Sequence, residues 1–233
     1  MKIGVFAYNF EHWKTQQGLY NLCMAGYKPS IILAADPVEL SFYRSKIRVG
    51  PRDRFLWHPK KIAEHFGIDY HVVVHNSEET NAIVKRHNLD VGVILGARIL
   101  KPIAFESFNI GVINMHPGVL PENRGLDNLK WAIMKGYDQG VTTHLIDSKI
   151  DRGLLIERNT IAIYDDDTLI DLHMRIQELE QKMMISAIDK IGATNKTNLV
   201  SLAKGNYHKS LPPELESSLM EKFEQYRSEK CRQ

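Results

Sequence analysis

Asn114 and His116 stand two residues apart at the close of an apolar run, Ile110-Gly111-Val112-Ile113-Asn114-Met115-His116-Pro117. In an extended strand such neighbours point to the same side. An amide N–H beside an imidazole suits acyl transfer. The amide can hold an oxygen as it becomes negative, and the imidazole, which titrates near neutral pH, can move protons. Taken alone, the two side chains would equally well cap a strand and bond to the loop after it. Pro117 ends the ladder because it has no N–H to donate, and Pro121 and Gly125 keep the next stretch a loop.

The elements that must position this pair are legible around it. Ile3–Tyr8, Ser30–Ala35, Tyr70–His75 and Val91–Leu95 read as buried strands, and the Asn114 run is a fifth. Helices are predicted over residues 12–25, 60–66, 78–87 and 126–135. The first carries Leu19, Leu22 and Cys23 on one face and stops at Gly26. Residues 99–108 read as a connector, and Val141–Ile146 and Leu154–Ile163 as further strands. A long helix begins near Thr168, with Asp165, Asp166 and Asp167 where the helix dipole favours negative charge. Its stripe of Leu169, Leu172, Ile176, Leu179 and Met183 would bury against the sheet. Alternating strands and helices imply right-handed βαβ units and a doubly wound, mostly parallel α/β sheet, whose ligands bind beyond the carboxyl ends of the strands. The Asn114 strand ends there.

Two units are expected: a catalytic domain over residues 1–192 and a short C-terminal extension over 193–233. The extension is polar and loop-rich up to Pro212 and Pro213. A final helix then carries Leu215, Leu219, Phe223 and Tyr226 on one face, which would dock on its own domain or on a second copy, so a homodimer is one possible assembly. Residues 36–59 form an irregular basic stretch with Arg44, Lys46, Arg48, Arg52 and Arg54, either a solvated surface or a phosphate holder.

Composition bounds the function. The 233 residues, 43% of them hydrophobic, suit one sizeable core. A net charge of +2, from 30 basic and 28 acidic residues, gives no general drive toward nucleic acid or a membrane surface. No apolar run is long enough to span a bilayer, and the N-terminus enters a strand at once rather than a signal peptide. Cys23 and Cys231 lie far apart and suggest no disulfide framework, which favours a reducing cytoplasm. His71 and His75 are four apart in a strand-like segment with no acidic or cysteine cluster to complete a site, so no metal is expected. No Gly-x-Gly-x-x-Gly follows the first strand, which speaks against a dehydrogenase.

Asn114-Met115-His116-Pro117, the loop Gly118-Val119-Leu120-Pro121, His144, and Asp151 within Asp147-Ser148-Lys149-Ile150-Asp151-Arg152-Gly153 follow one another in order and spacing. This set resembles the formyltransferase family that uses 10-formyltetrahydrofolate, over most of residues 90–190. The resemblance implies a Rossmann-like formyltransferase fold and a catalytic set of Asn114, His116 and Asp151, the Asp holding His116 or a water and stabilising an imidazolium. It implies a pterin pocket with one wall at Arg98, Ile99 and Leu100 and the other within residues 145–151, including Ile146 and Ser148, with His144 close by.

The run through Asn123-Arg124-Gly125 looks closest to the branch that formylates amino sugars on nucleotide carriers. Asn123 and Arg124, together with Tyr8, Asn9 and Lys14 at the first strand-to-helix turn, are the candidate acceptor contacts. That turn has no glycine, unlike the phosphate loop of enzymes that formylate glycinamide ribonucleotide, so that acceptor is the lesser alternative. The tail is short and not basic enough for the RNA-binding domain of the methionyl-tRNA branch. A formyltetrahydrofolate hydrolase would keep the same three residues with water in place of the amine. A nucleotide-binding module would need their agreement to be coincidence.

Overall fold

A computed structural model describes residues 1–39, 45–193 and 198–231. Arg44 of the basic stretch lies outside the described residues. In chain order the elements are β1 (Ile3–Tyr8), α1 (Trp13–Met24), β2 (Ile31–Ala35), α2 (Pro59–Phe66), β3 (Asp69–Val72), α3 (Glu78–His87), β4 (Val91–Ile94), α4 (Pro102–Phe105) and β5 (Gly111–His116). They continue with β6 (Arg124–Gly125), α5 (Asn128–Lys135), β7 (Gly140–Leu145), β8 (Leu154–Thr160), α6 (Leu169–Ala193), β9 (Val200–Ser201), β10 (Tyr207–His208), α7 (Pro213–Glu216) and α8 (Leu219–Lys230).

The main sheet has the order β3-β2-β1-β4-β5-β7-β8-β9. The pairs from β3 through β5 are parallel, and β7, β8 and β9 are added antiparallel. The chain starts in the middle at β1, runs outward through β2 to β3, then returns to β4 on the other side. Helices leaving β1 and β4 therefore diverge, and the crevice that doubly wound sheets use for ligands opens at the carboxyl ends of these two strands. Tyr8 and Ile94, the last residues of β1 and β4, line a cavity there.

Local chemistry explains where the helices start and stop. Ser77 caps α3 by accepting from the Thr80 N–H, and Asn88 closes it in the left-handed conformation. Pro59 opens α2, where a missing N–H costs nothing, and Gly67 ends it at φ 59°. At the entry to α6, Thr168 and Asp171 bond reciprocally across one turn. Leu169, Leu172, Ile176 and Met183 of α6 are buried in the larger core with β1, β4, β5 and α1, while Leu179 is partly buried against it.

Two departures from the sequence expectation are local. The connector at 99–108 contains one helical turn, α4, nucleated by Pro102 at its first position. The expected final helix is two, because the chain bends at Ser217–Ser218 between α7 and α8. Leu219, Phe223 and Tyr226 are buried in the same chain's core, and the Tyr226 hydroxyl donates to Tyr137 O at 2.8 Å, so the α8 part of this face is covered in cis, while Leu215 of α7 stays exposed.

Candidate active site

β5 and β7 pair antiparallel, with Asn114 opposite His144 and His116 opposite Thr142. A bulge between Thr143 and His144 shifts the register of β7 against β8. The loop after Pro117 is pinned from β7: Thr142 Oγ1 donates to Gly118 O at 2.8 Å and accepts from Leu120 N–H at 3.0 Å. Sheet pairing thus sets Asn114 opposite His144, with His116 two residues further along β5.

His116 is almost fully buried. Its Nδ1 lies 3.2 Å from Asp151 Oδ1, and its Nε2 lies 2.8 Å from the carbonyl of Asn123. Asp151 holds φ at 48°, a left-handed conformation that Asp tolerates better than most residues. Its second oxygen accepts from Gly125 N–H at 2.8 Å. Burial pushes the Asp151 carboxyl up, but the hydrogen bond and charge of His116 and the Gly125 N–H outweigh it, and its pKa lies below the ordinary value. His116 Nε2 also lies 3.2 Å from the Asn128 amide Nδ2, so the ring is held between a carboxylate, a carbonyl and an amide.

His144 is fully buried, and burial first, the neighbouring His116 second, push its pKa down to about 4. It is neutral at physiological pH. The Asn114 amide Nδ2 lies 3.3 Å from His144 Nε2, close enough to donate to it. That bond would orient the amide and leave its other N–H for a ligand.

Asn114, His144 and Asp151 line one cavity of about 600 Å³. Arg98, Ile99 and Leu100 line it, as do Ile146, Asp147, Ser148, Lys149 and Ile150, together with Tyr8 and Ile94. All six residues expected at a pterin wall are therefore brought together. His116 itself does not line the cavity; Asp151 does, with His116 behind it.

Of the acceptor candidates, only Tyr8 lines this cavity, its hydroxyl on Ala97 O at 2.9 Å. Asn9 is bound to Asp36 and Tyr70. Lys14 donates to Met115 O and to Glu180. Asn123 is buried and donates to Asn128 O. Arg124 is buried too, its guanidinium on the carbonyls of Gly205 and Ile150, with Nε unpartnered among the described residues. Lys14 and Arg124 are occupied because each closes a junction between segments far apart in sequence, whereas Asn123 is held within its own loop. Arg54 of the basic stretch stacks on Trp13 at 4.1 Å and donates to Gln177 at 2.9 Å.

A smaller cavity of about 240 Å³ is bounded by Pro117, Asn128, Lys130, His173, Gln177 and Glu180. Asn128 also reaches His116 Nε2 at 3.2 Å, so this space approaches the buried imidazole from its other side. Neither Asn128 nor Tyr207, which lines the larger cavity, was among the sequence candidates. Tyr207 is placed by the pairing of β10 with β6, which no local pattern signals, and Asn128 by its contacts to Asn123 and His116. His75 is buried with Nε2 on Leu33 O at 2.9 Å, and among the described residues no group of three or more His, Cys, Asp or Glu side chains could hold a metal ion.

Residues 53–188 match the family model described as Formyl transferase. The chain is 30% identical over 128 residues to a methionyl-tRNA formyltransferase of Chlorobium chlorochromatii, a match that covers 52% of this chain and 41% of that protein. The chain thus spans less than half the length of such curated relatives. Among solved structures it is similar to the phosphoribosylglycinamide formyltransferase of Anaplasma phagocytophilum, with a TM-score of 0.64 at 16% identity, covering 90% of this chain and 99% of that one. It is also similar to an N-formyltransferase of Helicobacter canadensis solved with folinic acid and dTDP-3-aminofucose, with a TM-score of 0.60 at 19% identity, covering 90% and 71%. At these identities the structural likenesses speak to the fold.

Proposed function

The chain belongs to the formyl transferase family, and from that premise we propose that it transfers a formyl group from 10-formyltetrahydrofolate to the amine of a nucleotide-linked amino sugar. The observation that carries the reading is the meeting of Asn114 and Asp151 in one cavity, with His116 paired to Asp151 behind it. A donor lying against Arg98–Leu100 and Ile146–Ser148 would bring its formyl group to Asn114.

The amine attacks the formyl carbon, a C–N bond forms, and the carbonyl electron pair moves onto oxygen. Asn114 donates its free N–H to that oxyanion. The His116–Asp151 pair works as a unit. It gives a proton to the folate nitrogen as the old C–N bond breaks, and takes one from the nitrogen that has become an amide, so it ends as it began. No covalent enzyme intermediate is required.

The sugar reading draws support from the Asn123-Arg124-Gly125 run, from the glycine-free turn after β1, and from the smaller cavity across Pro117, which has room for about one sugar ring. The test is folate release and product mass with purified protein, 10-formyltetrahydrofolate and a panel of amino-sugar nucleotides. One added formyl group on one member is the expected result. Folate release without an acceptor would replace the reading with a hydrolase, and product only with glycinamide ribonucleotide would replace the acceptor.

A further inference from the structure

The C-terminal extension runs back over the catalytic loop. β10, in the extension, pairs parallel with β6, matching Tyr207 with Arg124 and His208 with Gly125. Arg124 N–H donates to Asn206 O at 3.3 Å, and Leu126 N–H to His208 O at 2.9 Å. The Arg124 side chain donates to Gly205 O at 3.0 Å. Trp131 stacks on His208 at 4.6 Å and donates from Nε1 to Lys209 O at 2.7 Å. Leu211 N–H reaches Asp127 at 2.9 Å.

The approach is close enough to forbid side chains. A Cβ on Gly205 would stand 1.6 Å from Pro121 O, and one on Gly125, at φ 100°, would stand 2.0 Å from His208 O. Gly125 is also the residue whose N–H holds Asp151. A chain of contacts therefore runs from the extension through Gly125 to the carboxylate that faces the cavity.

Tyr207 leaves the same short strand and lines the cavity. It is 46% exposed, and two other cavity-lining apolar residues, Leu126 and Ile150, are 53% and 38% exposed. Three large apolar side chains left open on one stretch of a cavity rim call for an apolar, flat ligand group. With the pterin of the donor against residues 98–100 and 146–148 and its formyl nitrogen at Asn114 and Asp151, the next part of the donor is its aminobenzoyl ring.

We propose that the extension is a working part of this site: Tyr207, with Leu126 and Ile150, receives the aminobenzoyl ring of the folate, and the backbone of residues 205–208 positions Asp151 through Gly125. Residues 205–208 lie beyond the stretch that the family model matches, and Leu126 and Ile150 lie within it. The inference rests on the folate reading above. Tyr207 is a binding residue, and Gly205 and His208 are positioning residues.

Binding of folinic acid, an unreactive stand-in for the donor, is measured by titration calorimetry on the full chain, with circular dichroism to check folding. Tyr207→Ala should weaken binding about tenfold and raise the donor KM alike, with kcat and the acceptor KM unchanged. Tyr207→Phe should rescue binding. Gly205→Ala should move the acidic limb of the kcat/KM profile to higher pH, because Asp151 loses the Gly125 N–H; a mere brace would lower the melting temperature and leave the limb in place. Wild-type binding in Tyr207→Ala, or an unmoved limb in a folded Gly205→Ala, overturns this inference and leaves the transferase reading standing. No folinic acid binding by the wild type overturns both.

Discussion

Asp151 and Asp167 are both aspartates held by a nitrogen-bearing side chain, yet they are held differently, the Asp167 side chain being 4% exposed and that of Asp151 11%. Asp167 takes both terminal nitrogens of Arg175, at 2.7 and 2.9 Å, and the Tyr164 N–H at 2.8 Å. Its own carbonyl accepts from Arg227 of α8. The partner cannot give up its proton, and the pairing raises the pKa of Arg175 further. Asp151 is joined to an imidazole, and one side of its carboxyl opens on the cavity. Burial of a carboxylate is common to bracing and chemistry. A side left open to a cavity separates the two.

Substitutions can break that contrast. Asp151→Asn should lower kcat about a thousandfold or more while the melting temperature stays near that of the parent. Turnover within tenfold of the parent would remove Asp151 from the chemistry. Asn114→Ala, which deletes one oxyanion donor, should cost about 10²–10³ in kcat with little change in donor binding. Steady-state kinetics on both variants decides.

The next effect is on stability. His144 titrates near 4 in the fold against an ordinary 6.5, so between those values the unfolded chain takes a proton that the native state refuses. The contribution is intact above about pH 6.5 and is lost as pH falls toward 4, on the order of 3 kcal/mol in all. Urea unfolding at several pH values should show this slope, and His144→Gln should flatten it. Asp167→Asn should cost about 2 kcal/mol, discounted because Arg175 is partly exposed, and should leave kcat of the folded enzyme unchanged. The smallest effect is expected at exposed Arg98 on the cavity rim: Arg98→Ala should raise the donor KM only a few-fold, less so at high salt.

Much of the sheet was legible because buried parallel strands are short apolar runs between turn signals. The run at Ile3–Tyr8 matches β1 residue for residue. Asn114 and His116 could be placed at a strand end because Pro117 marks where pairing stops. Asp151 could not be reached by periodicity, since it lies in an irregular turn; it needed the likeness to a family. Sequence also could not show that Lys14 and Arg124 are taken up by Glu180, Gly205 and Ile150, because these contacts join segments distant in the chain. The two-residue strands β6 and β10 carry no pattern at all: their pairing is backbone alone.

The antiparallel pairing of β5 with β7 makes alignment itself a component of the enzyme. Asn114 and His144 face each other only in one register, and side chains along a strand alternate sides. Losing one residue from Val141–Thr143 would bring a neighbour opposite Asn114 or turn the histidine to the far face, with every catalytic side chain still present in the chain. Lengthening the turn between Lys135 and Gln139, after α5, leaves that alignment alone. Tolerance to insertion and deletion should therefore be sharply uneven along this stretch, strict by a single residue in β7 and lenient a few positions earlier.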